Sequence, residues 1–189
     1  MSFKVFPISN LAELESLPVA LIAHYPTERR DYKPYAQCNI CLDGHTLFLR
    51  MWAFEVSPPP GSCLRCLLYI FPGREYTALS VTIGPDNTSS FTLLENGGEQ
   101  AVNPPEGFIA HPHNGEDLQG IYWGSLIPLP IDWLQSLGGA VNTQAGSRFY
   151  GNFYKLCPGP KMAHSGSFFA ANFPENPFRR ESMGEFLVV

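Results

Sequence analysis

Basic residues are scarce in this chain. Its 189 residues include 12 Lys and Arg against 17 Asp and Glu, for a formal charge of -5, and the cations are scattered rather than clustered. A nucleic-acid surface requires the opposite, a basic stripe set against phosphates, so nucleic acid is not an expected partner. Long apolar runs are missing too. The start M-S-F-K-V-F-P-I-S-N has no basic region leading into a stretch of signal length, and no later segment is long and apolar enough to span a bilayer. The expectation is a cytoplasmic protein with no membrane partner. Cysteines number only 5, an odd count, in a chain larger than the secreted domains that depend on disulfides. Reduced thiols are therefore expected, and the sequon Asn87-Thr88-Ser89 is then only a loop. Glycine-rich phosphate loops are absent, and no pair of carboxylates presents itself for glycosidase chemistry.

What the chain does have is aromatic and turn-forming residues: 13% Phe, Trp and Tyr, with 17 Gly and 18 Pro. Together they favour short strands with frequent turns over long helices. The length suits one domain, 1–189, with a core that needs no metal or disulfide staple. The run S-N-L-A-E-L-E-S-L at 9–17 carries a capping Asn and helically spaced Leu, and Pro18 ends it. Residues 37–55 read as a hairpin turning at Asp43-Gly44-His45. Further strands are expected at 63–71, 76–83, 90–95, 107–110, 121–127, 148–156 and 184–189, with a helical turn at I-D-W-L-Q-S-L. Many short strands separated by turns predict an all-β fold, an antiparallel β-sandwich of jelly-roll type with one or two short helices.

Side chains alternate across a strand, so T-L-F-L-R-M-W-A-F-E at 46–55 puts Leu47, Leu49, Met51 and Ala53 on a core face and Phe48, Arg50, Trp52 and Phe54 on the other. The next strand repeats this with Arg65 and Tyr69, and the one after it with Tyr76 and Ser80. If these strands are neighbours, Arg50, Trp52, Arg65, Tyr69 and Tyr76 share a surface with an aromatic floor and placed donors. Flat sugar faces stack on such rings while Arg and Asn bond the hydroxyls. The competing arrangement is a face covered by loops, its aromatics a second core and its arginines paired with carboxylates.

The C-terminal part strings together I-Y-W-G-S-L-I-P-L at 121–129, G-N-F-Y-K-L-C at 151–157, His164-Ser165 and N-P-F-R-R-E-S-M-G-E-F-L-V at 176–188. This order resembles the family 9 carbohydrate-binding modules and their stand-alone bacterial relatives, related to the DOMON sandwich. L-L-Y-I-F-P-G-R-E-Y with L-S-V-T-I-G looks like that family's paired central strands, and the resemblance covers roughly residues 37–189. It implies a β-sandwich that binds sugar between aromatic rings, is linked to carbohydrate catabolism and, in many members, holds structural calcium. Phe178 stands where the family has an aromatic sugar platform, and Asn176 is placed to bond a hydroxyl. The chain departs from the family at Leu67 and Leu68, where acidic residues are usual, near Ser62, where a second platform Trp has no match, and at Met183, which replaces a Phe. Tyr150, Asn152 and Tyr154 share one strand face, where they either extend a ligand surface or pack and bond locally. Trp123 and Trp133 read as packing residues.

Three other patterns carry chemistry. Cys38-x-x-Cys41 and Cys63-x-x-Cys66 have zinc-ligand spacing, although an extended run aims Cys63 and Cys66 at opposite faces. The loop H-P-H-N-G-E-D, His111 to Asp117, has the donors of a metal site. Cys157 and His164 are a nucleophile and a base close in sequence. The alternatives to a non-catalytic sugar binder are therefore an intracellular enzyme or metal-dependent accessory of sugar metabolism, a zinc-binding interaction domain, and a structural protein whose second face is closed.

Overall fold

Among the described residues, alternating apolar residues interrupted by Gly, Pro and Asn build fourteen strands. The computed structural model describes residues 2–30, 33–159 and 162–189. In chain order the strands are β1 (Phe3–Pro7), β2 (Ala20–Ile22), β3 (Tyr35–Leu42), β4 (Thr46–Phe54), β5 (Cys63–Tyr69), β6 (Thr77–Ile83) and β7 (Ser89–Glu95). There follow β8 (Gly98–Ala101), β9 (His111–Pro112), β10 (Gly115–Asp117), β11 (Gly120–Pro130), β12 (Arg148–Cys157), β13 (His164–Ser167) and β14 (Gly184–Val188). One α-helix, α1 (Ile131–Gly138), and two 3₁₀ helices, Leu11–Ser16 and Arg180–Ser182, complete the described elements. Asn10 caps the first 3₁₀ helix by accepting from the Ala12 N–H at 3.0 Å. No described helix is long and apolar enough to cross a membrane.

The hairpin β3–β4 forms as expected. Asp43 accepts from the His45 and Thr46 N–H groups at 3.0 and 2.8 Å, and Gly44 supplies the left-handed φ of +92° that the turn needs. The sheet then runs β10-β11-β4-β3-β1-β14-β12-β5-β6-β7-β8, curled so that its two halves face each other as an all-β sandwich. Neighbours are antiparallel except at β1, which pairs in parallel with both β3 and β14 and so joins the halves. Between the halves lie Leu47, Leu49 and Met51 from one side and Leu64, Leu68 and Val81 from the other, each fully buried. Each such side chain contributes about 1.5–3 kcal/mol relative to exposure.

Two expectations need correction. β4 and β5 are consecutive but not neighbours, because the stretch through Pro58, Pro59 and Pro60 carries the chain to the other half of the sheet. Residues 107–110 form no strand; Phe108 instead packs edge-on against Phe91, centroids 5.1 Å apart.

Candidate functional site

Separation of β4 from β5 divides the expected groove in two. On the outer face of β4, Arg50 and Trp52 are buried. Arg50 donates to Asn39 Oδ1 through Nε at 3.0 Å and Nη2 at 2.7 Å, donates to the Leu14 carbonyl at 3.2 Å, and pairs with Glu15. Its guanidinium lies 5.0 Å from the Trp52 ring centroid. His113 meets the same indole edge to face at 5.5 Å, and burial together with the Arg50 charge holds the His113 pKa below its usual value. Phe48 joins Ile8, Leu14 and Cys41 in a small apolar cluster. This outer face is thus a second core, closed by the first 3₁₀ helix and the strand pair around His113.

The outer face of β5 and β6 is different. Tyr69, Tyr76, Asn176 and Phe178 line one cavity of about 490 Å³ there. Its floor is the sheet. One wall is the β7–β8 hairpin, whose Asn96-Gly97 tip has φ of +52° and +81°, the left-handed pair a tight two-residue turn requires. The other wall is the segment through Asn176 and Phe178, which the N-F-Y-K strand holds down. Asn152 donates to the carbonyls of Phe169 at 2.9 Å and Ser182 at 2.8 Å, at the two ends of the segment, while the Tyr154 hydroxyl donates to the Pro177 carbonyl at 2.7 Å. Asn152 and Tyr154 are fully buried, so of the three residues sharing that strand face only Tyr150 stays near the surface.

Within the cavity, Tyr69 donates its hydroxyl to the Phe178 carbonyl at 3.2 Å, and Asn176 Oδ1 accepts from the Phe178 N–H at 3.0 Å. Arg65 stands beneath the wall, its guanidinium 4.4 Å from the Phe178 centroid, donating to Ser80 Oγ at 2.8 Å and Glu99 at 2.9 Å. It fixes the ring that lines the cavity. Tyr76 is 70% exposed and has no such anchor. Sequence pattern missed Glu95, Glu99, Arg179 and Arg180, which also line the cavity; the R-R-E run at 179–181 was the one available signal for the last two.

The thiols are not brought together as a zinc site. Cys38 and Cys66 lie fully buried in the main core, where desolvation pushes both pKa values well up and favours the thiol over the metal-binding thiolate. Cys41 sits in the cluster with Ile8 and Leu14, its pKa raised to about 12 by burial, and Cys63 lies on the outer face of β5. Among the described residues no three His, Cys, Asp or Glu side chains are grouped to hold a metal.

His164 is a register partner of Cys157, yet both of its nitrogens are engaged elsewhere. Nδ1 donates to the Met162 carbonyl at 2.8 Å, which leaves Nε2 to accept from Lys155 Nζ at 3.0 Å. Lys155 also donates to Ser62 Oγ at 2.6 Å and meets Glu55 at 3.2 Å, and Glu55 accepts from Trp123 Nε1 at 3.0 Å. Burial lowers the pKa of both Lys155 and His164, and the neighbouring ammonium lowers that of His164 further. This enclosed ionic centre ties the strands of the two halves together at one end.

No family model matches the sequence, and no curated protein matches it. Solved structures do match the fold. A protein from Bacteroides uniformis thought to bind carbohydrate superposes with a TM-score of 0.74 at 15% identity, covering 100% of this chain and 99% of that one. A family 9 carbohydrate-binding module from Caldicellulosiruptor kristjanssonii, in complex with cellotriose, gives 0.66 at 11% identity over 100% of this chain and 93% of its own. The same kind of module in complex with glucose gives 0.66 at 10% identity, over 100% and 96%. The chain therefore has the β-sandwich fold of carbohydrate-binding modules of family 9.

Proposed function

We propose that this protein is a non-catalytic carbohydrate-binding protein that takes its sugar in the cavity between the β7–β8 hairpin and the segment at 176–181. The observation that carries the proposal is the composition of that cavity: Tyr69, Tyr76 and Phe178 as aromatic surface, with Asn176, Glu99 and Arg179 as hydrogen-bonding groups, around a volume of about 490 Å³. Small-molecule sites are of this size, roughly 300–1,000 Å³, and combine apolar lining with a few placed polar groups. Apolar sugar faces stack on the rings; hydroxyls exchange hydrogen bonds with carboxylate, amide and guanidinium. The fold shared with sugar-bound modules supports the reading. Arg50 and Trp52 are left out of the site because their polar and aromatic partners are all within the protein.

The test is a thermal-denaturation screen against mono- and disaccharides, followed by titration calorimetry. A sugar at one hundred times its Kd raises stability by about 2.7 kcal/mol. Tyr76→Ala is expected to weaken that sugar about tenfold, or ~1.4 kcal/mol, while leaving the unliganded Tm unchanged, since the ring is 70% exposed. Trp52→Ala is expected to behave oppositely, costing about 3–5 kcal/mol of stability with the sugar response retained. Silence toward every sugar, or a response that Trp52→Ala abolishes in a folded protein and Tyr76→Ala does not, sinks the proposal.

A further inference from the structure

Most arginines of the chain face a carboxylate: Arg30 meets Glu28, Arg50 Glu15, Arg65 Glu99, Arg74 Glu95, Arg148 Glu185 and Arg179 Glu175. Arg29 is exposed to water. Arg180 is the exception, because it is half-buried and yet donates to no carboxylate or carbonyl of the described residues. Its guanidinium lies 3.4 Å from the Tyr150 ring centroid and 5.7 Å from that of Tyr69. Contact with aromatic rings fixes a guanidinium in place and leaves its five N–H donors unspent. A second cavity, of about 430 Å³, adjoins the first and shares Tyr69, Tyr76, Arg180 and Glu181 with it, so Arg180 stands at the junction. Arg74 and Arg148 line the second cavity and not the first. Arg148 spends only Nη1 on Glu185, which leaves its Nε and Nη2 without an acceptor among the described residues. The carboxylates lining this second cavity, Glu75 and Glu181, are exposed, and neither pairs with any of the three arginines.

A neutral hydroxyl uses a guanidinium poorly. An oxyanion presents two or three charged oxygens that match the guanidinium fork, in hydrogen bonds roughly twice as strong as neutral ones. A held, half-buried cation without an internal counter-charge is therefore built for a ligand that brings the counter-charge with it. We infer that the sugar this protein takes is an acidic one: its ring occupies the first cavity, and its anionic group, a carboxylate or a phosphate ester, meets Arg180 at the junction and points toward Arg148 in the second cavity. The inference rests on the sugar-binding reading above and adds charge as the property that selects the ligand. The chain as a whole carries -5 and does not attract anions, so the selection is local to these guanidinium groups. A neutral sugar of the same shape leaves their donors unpaired, and discrimination arises from that difference.

The experiment is titration calorimetry on the full chain with glucose beside glucuronate and glucose 6-phosphate, and with galactose beside galacturonate and galactose 6-phosphate. At least one acidic sugar is expected to bind about tenfold or more tightly than its neutral parent, the effect of a hydrogen bond between charged groups. Preference for the uronate identifies the oxyanion as a carboxylate, and preference for the 6-phosphate identifies it as a phosphate ester. Arg180→Met keeps a long side chain on Tyr150 without the donors and is expected to abolish the preference. Arg148→Gln alters an exposed side chain that lines only the second cavity. It is expected to weaken the acidic sugar and leave the neutral parent unchanged, and it carries the test if Arg180→Met fails to fold. An acidic sugar bound where its neutral parent is not bound supports the inference in full. Acidic and neutral sugars binding equally, or a preference that survives in the folded variants, overturns the acidic ligand while leaving sugar binding intact. No binding by any of these sugars overturns both.

Discussion

His164 sits in the molecule with Nε2 turned to an ammonium and Nδ1 to a carbonyl, an arrangement that admits only one ring proton. His113, pressed against Trp52 beside Arg50, is disfavoured as a cation for the same two reasons, burial and a neighbouring positive charge. Both folded pKa values are depressed, so the stability these residues contribute is fully present above the unfolded value of about 6.5 and is lost as pH falls through the folded ones, where the unfolded chain binds protons that the folded chain resists. Thermal midpoints are expected to stay level near pH 7–8 and to fall below about 6.5. Replacing His113 with Gln should shallow the acid slope. A midpoint that rises on acidification contradicts this account of both residues. Glu15 faces the Arg50 group and opposes the shift at His113, and Glu55 opposes it at His164, so the slope reports a balance in which burial dominates.

Among the elements, β12 carries two tasks on opposite faces. Asn152 and Tyr154 hold the cavity wall, and Lys155 reaches the enclosed centre with Glu55, Ser62 and His164. Removing one partner of a buried ion pair strands the other charge, so Lys155→Met should cost about 3–5 kcal/mol, on the order of a 10 °C loss in Tm for a chain of this size. Glu55→Met combined with Lys155→Met should recover part of that loss, since no lone charge remains. A double variant less stable than Lys155→Met alone refutes the account. Element by element, alternation made β3, β4, β5, β6, β11, β12 and β14 legible, because one face of each is mainly apolar. β8, G-E-Q-A, has no buried residue and therefore no pattern; it exists only because β7 hydrogen-bonds it. Residues 107–110 have strand-forming residues and no strand partner. Of the expected site residues, Arg65, Tyr69, Tyr76, Asn176 and Phe178 meet on one face and Arg50 and Trp52 lie on another. Alternation fixes which side of its own sheet a residue faces, but not which half of the sandwich a strand joins. The run of prolines after β4 makes that choice, and no periodicity encodes it.

For the whole molecule, β1 decides closure. Val5 is fully buried, and its strand is the hydrogen-bonded seam between β3 and β14. Deleting residues 2–8 should expose two unpaired strand edges, lower the midpoint of unfolding and promote association visible by size-exclusion chromatography. A truncated chain that unfolds cooperatively at the midpoint of the intact one removes β1 from this role. The same architecture distributes the three indoles in a useful way. Trp52 is enclosed beneath His113, Trp123 is bonded to Glu55, and Trp133 packs on Phe91 with its Nε1 donating to the Asn103 carbonyl at 3.3 Å; none of them lines either cavity beside Arg180. Tryptophan emission is therefore a reporter of the folded core alone. An unfolding curve recorded by that emission can be compared directly with and without saturating sugar, and any difference between the two is stabilisation rather than quenching by the ligand, while the tyrosines that line the cavities supply an independent optical signal of occupancy.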